Sequence, residues 1–424
     1  MQRLLLLGVL IYGLILVGLA TLNGAIMALA IPFLVYLGAG LLYAPEQARL
    51  KIRRSLSADR VIRDTPVTVS LSITNEGPPQ EELFIKDPLL PSLKVIEGQA
   101  SLLTSLQAGA TVELVYTLNG ERGVHHFSGV QVSLSDHLGL FRKEEVILAP
   151  GHFFVLPEAM QLRHVAIRPR RTRVYAGLIP TRQGGPGVEF FGVRAYQPGD
   201  PLRWINERAS ARHPETLFVN EYEQERAADV GLILDARQQS DVRSTMGSLF
   251  EYSIQATAAL ADTFLNGGNR VGLFIYGRSI DWTFPGYGKI QRERILQALA
   301  RAQLGGGHVF EKLDHLPARL FPARSQLVLI SPLLQDDAQM LIKLRARGYH
   351  LLIISPNPIT FEQTRLKPSQ TVALATRLAN LERRLLLHKL RQAGIRVVDW
   401  PVESPFPEVA HTALSRMSVR MDYA

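Results

Sequence analysis

Apolar residues dominate the start of the chain, and two different periods follow. No charged residue falls between Arg3 and Glu46, and two apolar stretches, residues 4–20 and 25–43, flank the short polar break Thr21-Leu22-Asn23-Gly24. Each stretch is close to the ~20 residues needed to cross a hydrocarbon core about 30 Å thick. The pattern predicts a transmembrane helical hairpin over residues 1–45. A cleaved signal peptide ending at Ala28-Leu29-Ala30 fits less well. Its apolar run is far longer than the roughly 7–15 residues of a signal h-region. Arg3 precedes the first stretch, Arg49, Lys51, Arg53 and Arg54 follow the second, and the break carries no basic residue. The positive-inside rule then places both termini, and everything after residue 46, on the cytoplasmic side of the membrane. The same four basic residues are expected against anionic lipid headgroups.

Residues 46–160 alternate apolar and polar positions in short runs, such as 67–73, 112–118 and 129–134. Turn residues separate them, as at Asn75-Glu76-Gly77-Pro78-Pro79 and Asn119-Gly120. Several strands with one apolar face each predict an antiparallel β-sandwich of immunoglobulin-like type. In that strand pattern the adjacent His125 and His126 point to opposite faces and cannot form one site. From residue 227 to 424 the period changes. Near-continuous apolar strands at 230–235, 270–276, 326–330, 350–354 and 395–399 alternate with amphipathic stretches at 243–264, 289–303, 337–347 and 372–392. Such alternation means an α/β fold, a doubly wound parallel sheet, and the short alternating run 279–284 reads as its antiparallel edge strand. The fold class is therefore multidomain, with hairpin, sandwich and α/β domain in that order, and a connector over residues 161–226.

A chain of 424 residues is too long for one core, which agrees with this division. The complete absence of cysteine excludes disulfides, thiolate metal sites and a cysteine nucleophile. The net charge of +9 suits work beside an anionic surface. Much of that charge sits in the connector, where no acid appears between Glu158 and Glu189. Tyr175 is the only aromatic residue among its basic positions from Arg163 to Arg182. A groove that tracks nucleic acid wants repeated stacking platforms, so no nucleic-acid partner is expected.

The densest pattern runs from Gly187 to Arg212. Pro198-Gly199 suits the centre of a type II turn. Asp200 is a natural N-cap and Pro201 a natural first helical residue, which predicts a turn feeding a helix. On that helix Leu202, Ile205 and Ala209 would share one face, while Arg203 and Glu207 would pair one turn apart. This segment resembles the domain of unknown function 58 family. The resemblance extends through residues 217–225 and back to residues 121–127 and 136–141, with His137 in place of the usual Pro. Asn206 and Glu207 depart from the Asp and Trp usual in that family. The order of elements after residue 227 resembles a von Willebrand factor type A domain. Together these resemblances imply a non-enzymatic adaptor in a bacterial inner membrane that presents a type A-like domain to a MoxR-type AAA+ ATPase. Glu189, Arg194, Tyr196, Asp200, Arg203, Trp204, Glu207 and Arg212 are the candidate interaction or interdomain residues. Glu189, Arg194, Asp200, Arg203 and Arg212 would serve either as a structural ion network or in partner recognition. Trp204 would cover a patch of the helix near the position where the family usually has its Trp.

In open α/β sheets ligands gather at the carboxyl ends of the strands. The first such end here is Asp235-Ala236-Arg237-Gln238-Gln239-Ser240. A type A domain that binds a divalent cation through a metal-ion-dependent adhesion site has D-x-S-x-S there, a set of hard oxygen ligands. Only Asp235 is retained, with Arg237 and Gln239 where the hydroxyls belong. The second acidic position reads Ser331-Pro332-Leu333-Leu334, and Asp336 and Asp337 lie too far along to align simply. No metal and no cofactor is therefore expected, and Asp235 should pair with Arg237 or cap a local turn. Gly184-Gly185-Pro186-Gly187 lacks the Lys-Ser/Thr of a phosphate loop, and neither His-Glu-x-x-His nor Gly-x-Ser-x-Gly occurs. An enzyme acting on envelope precursors and an exported adhesion-type module remain the alternatives to the adaptor.

Overall fold

The computed structural model describes residues 2–42, 49–135, 140–162, 172–213, 215–244, 247–277, 280–305, 313, 316, 320–321 and 325–415, with the backbone alone at 2–3, 172–189, 223–227 and 414–415. It divides into two compact units, Met1–Leu156 and Pro157–Ala424.

The first unit opens with three helices, α1 (Gln2–Ala20), α2 (Gly24–Ala28) and α3 (Ala30–Leu42). The chain turns between α1 and α2 where Leu22 takes φ 50° and Asn23 caps α2, its Oδ1 accepting from the Ala25 amide at 3.0 Å. Gly24–Leu42 is long and apolar enough to cross a membrane, and the apolar helix before it, Leu4–Ala20, is shorter.

Nine strands follow: β1 (Leu50–Leu56), β2 (Arg60–Ile62), β3 (Val67–Asn75), β4 (Gln80–Lys86), β5 (Leu93–Gly98), β6 (Ser101–Leu106), β7 (Thr111–Gly120), β8 (Gly123–Ser135) and β9 (Arg142–Leu156). They form one sheet in the order β1-β3-β7-β5 and another in the order β2-β9-β8-β4-β6. Pairing is antiparallel except between β2 and β9. The strict alternation of β3 buries Val67, Val69, Leu71 and Ile73. These side chains share one core with Leu83 and Ile85 of β4 and with Val130, Val132 and Phe153 of β8 and β9, so the two sheets pack face to face. His125 is buried and His126 exposed, the opposite-face arrangement that a strand dictates.

A charged group lies inside this apolar layer. Arg54 shares the inward face of β1 with Leu50 and Ile52, and its side chain is 1% exposed. Its guanidinium bonds both carboxylate oxygens of Asp87, donates Nε to the Ala149 carbonyl at 3.0 Å, and stacks 4.2 Å from the Phe127 ring centroid. The Tyr116 hydroxyl donates to the same Asp87 carboxylate at 2.6 Å. Burial, reinforced by that carboxylate, holds the phenol well above its ordinary pKa. Arg54 is therefore not available to lipid headgroups: the period of two that turns Lys51 and Arg53 outward turns Arg54 inward. Lys51 is exposed and paired with Glu76 at 3.4 Å.

The second unit runs β10 (Thr172–Ala195), α4 (Glu207–Ser210), β11 (Phe218–Asp235), the short pair β12 (Arg243–Ser244) and β13 (Gly247–Ser248), α5 (Leu249–Asn266), β14 (Arg270–Tyr276), β15 (Ile280–Gly286), α6 (Gly288–Arg301), β16 (Gln326–Ile330), α7 (Asp337–Ala346), β17 (His350–Pro356), α8 (Pro358–Gln363), α9 (Gln370–Gln392), β18 (Arg396–Trp400) and α10 (Phe406–Ser415). Its main sheet has the order β15-β14-β11-β16-β17-β18. All these strands are parallel except β15, which is the antiparallel edge expected from residues 279–284. Helix α5 packs on one face against β11, β14, β16 and β17. Leu341, Leu344, Leu387 and Leu390 of α7 and α9 share the other core with Ile233, Phe274, Leu329 and Ile353. Gly231, on the central strand, leaves room for Phe321: a Cβ there would lie 2.3 Å from that ring.

Replacing Asp87 with Ala would leave the Arg54 guanidinium buried without its partner. Chemical denaturation of the full chain in detergent should show a loss of about 3–5 kcal/mol.

Candidate functional site

The carboxyl edge of the parallel sheet is closed by guanidinium groups. Strand β11 ends at Asp235, at the carboxyl edge of the sheet. The Asp235 carboxylate faces Arg237. Arg237 Nε donates to Asp235 Oδ1 at 2.9 Å and Nη2 to Oδ2 at 2.8 Å, while the Arg237 backbone N–H donates to Oδ1 at 3.1 Å. The other side of the guanidinium meets Asp337, with Nη1 to Oδ1 at 3.0 Å and Nη2 to Oδ2 at 2.8 Å. The Ser331 hydroxyl donates to Asp235 Oδ2 at 2.7 Å. All three charged side chains are 2% exposed or less. Burial works against the charge on Arg237, but the hydrogen bonds it donates to Asp235 and Asp337 outweigh it and hold its pKa above the ordinary value.

The pairing of Asp235 with Arg237 is the expected one. Asp337 corrects the expectation that it lies too far along. Leu333 takes φ 66°, which folds the segment after β16 back on itself, and the Leu334 N–H donates to Asp337 Oδ2 at 2.8 Å. Asp337 thus comes to the end of β11 from the first turn of α7, and the guanidinium sits between the two carboxylates.

Arg383 of α9, which the sequence reading passed over, seals the next part of the same edge. It donates to the Pro332 carbonyl at 2.9 Å, to Ser355 Oγ at 2.9 Å and to Asp399 Oδ1 at 2.7 Å. Its signal was present in the sequence: Arg383, Leu387 and Leu390 recur at helical spacing, and all three are buried.

The segment around residues 190–222 forms a ribbon. Strand β10 pairs antiparallel with the first part of β11, with register shifts, before β11 enters the parallel sheet at Asp229. Gly199 takes φ 108°, as the expected turn requires. Asp200, however, is not an N-cap. Its carboxylate accepts both Arg194 Nη atoms at 2.7 Å and the Gln197 N–H at 2.8 Å. Arg194 Nε also lies 3.4 Å from Glu221. The expected single helix is two short turns, a 3-10 turn at Leu202–Trp204 and α4. They are separated where Ile205, at ψ 127°, bridges to Val219. That break removes the one-turn spacing between Arg203 and Glu207, and both are exposed. Asn206 caps α4 through the Ala209 N–H at 2.9 Å and donates to Asn220 Oδ1 at 2.7 Å, a bond an ionised Asp could not donate.

Of the sequence-predicted residues, the ribbon joins Arg194 and Asp200, while Arg212 is exposed. The Tyr196 N–H donates to the Leu217 carbonyl at 2.8 Å, and Trp204 packs edge-on against Tyr222 with centroids 5.6 Å apart. The Glu189 side chain, His137 and the basic positions 163–171 lie outside the described residues. Phe190, Phe191, Val193, Leu202 and Leu217 are all more than 40% exposed along the ribbon. Among the described residues no group of His, Asp and Glu converges as a metal-ligand set.

Residues 192–357 match the model of the family described as "Protein of unknown function DUF58", the family resembled by the signature. "Uncharacterized protein YeaD" of Bacillus subtilis (strain 168) is 26% identical over 253 residues, 58% of this chain and 61% of that protein. "Uncharacterized protein Mb1516" of Mycobacterium bovis is 35% identical over 105 residues, 24% of this chain and 30% of that protein. The chain thus spans under two thirds of the length of either relative. A FixG-related protein from Vibrio parahaemolyticus aligns to 25% of this chain and 95% of its own, at 15% identity and a TM-score of 0.18, a likeness too slight to identify a fold.

Two outcomes follow from the geometry. Asp337→Ala should cost about 3–5 kcal/mol in denaturation, because it strips one partner from a buried charge. The Asp200 carboxyl is lowered to about 2 by the Arg194 hydrogen bond and then by the Gln197 amide. A lowered folded value means this pairing supports the turn above the ordinary carboxylate range and is lost as pH falls through about 2. Between pH 5 and 3 the Gln197 amide resonance should stay in place in the native chain and shift in Arg194→Ala.

Proposed function

We propose that this chain, which carries the DUF58 segment over residues 192–357, is a membrane-anchored, non-enzymatic adaptor that presents its second unit to a MoxR-type AAA+ ATPase. One observation carries the reading: the place where a type A domain would hold a divalent cation is filled by the protein's own Arg237 guanidinium. A contact that depends on a shared cation at the strand ends has no room there, and adding a metal would bring a second positive charge against the first. Binding then falls to the ribbon, where Phe190, Phe191 and Leu202 lie open to solvent. Exposed apolar side chains on a backbone held by an ion pair form a surface suited to protein contact. The Arg194–Asp200 pair would act by holding the ribbon in shape, and Trp204, already packed on Tyr222, would contribute its free edge.

The finer fold readings belong to the same proposal. The sheet order, with helices on both faces and one antiparallel edge strand, supports a type A-like second unit. Two facing sheets around one core support an immunoglobulin-like first unit. The apolar helix Gly24–Leu42, with Leu4–Ala20 before it, supports a two-span hairpin that leaves both termini cytoplasmic. Exposed basic residues beside it, Arg49, Lys51 and Arg53, would face lipid headgroups.

Pull-down of the full chain from bacterial membranes should recover an AAA+ ATPase. A Phe190→Ser, Phe191→Ser, Leu202→Ser variant should lose it without a change in melting temperature. Recovery of no AAA+ ATPase by the native chain, with and without ATP, would overturn the partner. A reporter fused after residue 424 should be active only in its cytoplasmic form, and activity outside the membrane would favour the exported module instead.

A further inference from the structure

Helix α9 is amphipathic twice over. Its C-terminal half buries Arg383, Leu387 and Leu390 in the second unit, while none of its residues before Arg383 is buried. On the opposite side Leu374, Leu378, Leu381 and Leu385 are 69, 58, 48 and 61% exposed. Their spacing of four, three and four residues is the alternation of a heptad seam, which holds leucine at both a and d. At 100° per residue the four positions span about 60° of the helix circumference. A helix face that lies in lipid or covers a broad core is ≳ 100° wide, so this narrow row has the width of a helix-to-helix seam. The charges beside it give the seam a direction. With Leu378 at a, Arg377 occupies g and Glu382 occupies the following e. In a parallel pair of identical helices, g of one copy faces the next e of the other, so Arg377 meets Glu382 of the second copy twice by symmetry. An antiparallel pair would instead bring Arg377 against Arg384.

We propose that the leucine row of α9 is a self-association surface, on which two copies of this chain pair their α9 helices in parallel. The proposal is independent of the AAA+ adaptor reading, since it concerns contact between copies and a different element from the ribbon.

The chain has no cysteine, so single cysteines report without background. In the full chain in lipid nanodiscs, Leu378→Cys should be joined to its own copy by a short bis-maleimide. Ala373→Cys, exposed but off the seam at position c, should not be. Leu374, Leu378, Leu381 and Leu385 are solvent-exposed in one copy, so these substitutions leave the fold intact, and circular dichroism checks this. Arg377→Glu and Glu382→Arg should each weaken self-association roughly tenfold, the size expected when two weak ion pairs become repulsions. The double swap should restore it. Three outcomes would overturn the proposal. One is a monomeric Leu378→Cys variant whose thiol is freely reactive. Another is cross-linking of a Leu374→Cys copy to a Leu385→Cys copy, which marks an antiparallel pair. The third is a monomeric Leu378→Cys variant whose thiol is shielded from water-soluble maleimide, which marks lipid as the occupant.

Discussion

A guanidinium removed from water must be met on every side by acceptors, and Arg237 shows how much of a fold that requirement can organise. Breaking a buried ion pair costs several kcal/mol because one charge is left unanswered. The end of β11, the loop after β16 and the first turn of α7 are therefore held to one arrangement, in which Asp235 and Asp337 flank the guanidinium and Ser331 donates to Asp235. The left-handed Leu333 serves that arrangement. Arg383 repeats the principle along the same sheet edge, gathering the Pro332 carbonyl, Ser355 and Asp399. Arg54 does so between the sheets of the first unit.

The same constraint separates architecture from chemistry. A parallel sheet offers its carboxyl edge to ligands because helix N-termini and loops converge there. In this protein that edge is filled from within. The other end of the central strand remains open: β11 runs without interruption from the ribbon into the parallel sheet, pairing with β10 before Asp229 and with β14 and β16 after it. Ribbon and sheet therefore share one backbone, and the Arg194–Asp200 pair stiffens the turn at the ribbon's tip. The exposed phenylalanines lie on β10, whose ladder joins them to the strand that ends at Asp235.

Local periodicity was a good guide where burial has a simple period. The five parallel strands, the antiparallel edge and the extents of α6, α7 and α9 follow from apolar runs and helical spacing, because each element buries a whole face or stripe. Arg54 was legible by the same rule, as the third inward position after Leu50 and Ile52, once charge is not taken as proof of exposure. The signature segment was harder. Its turn chemistry gave Gly199 its left-handed φ, but a helix through Leu202–Arg212 did not form. Ile205 pairs across to Val219, and the Asp200 carboxylate is drawn to Arg194 instead of to a helix terminus. Both competing partners come from β-strands of the ribbon, which a window along the helix does not contain.

By itself the sequence determined the apolar start, the change from a period of two to alternating strands and helices, the order of elements and the loss of hydroxyl ligands beside Asp235. These are properties of neighbouring residues, and the hydrophobic effect reads them directly. Only the tertiary structure decided what surrounds Arg237. Asp235 and Asp337 lie 102 positions apart, and Arg237 pairs with an acid 100 positions away. Their meeting depends on strand order and on one left-handed residue in a loop, and neither has a local period. The pairing of Asp235 with Arg237 was legible as a contact two residues apart, whereas Asp337 was not. The guanidinium was enclosed only when the fold brought the second carboxylate to the first.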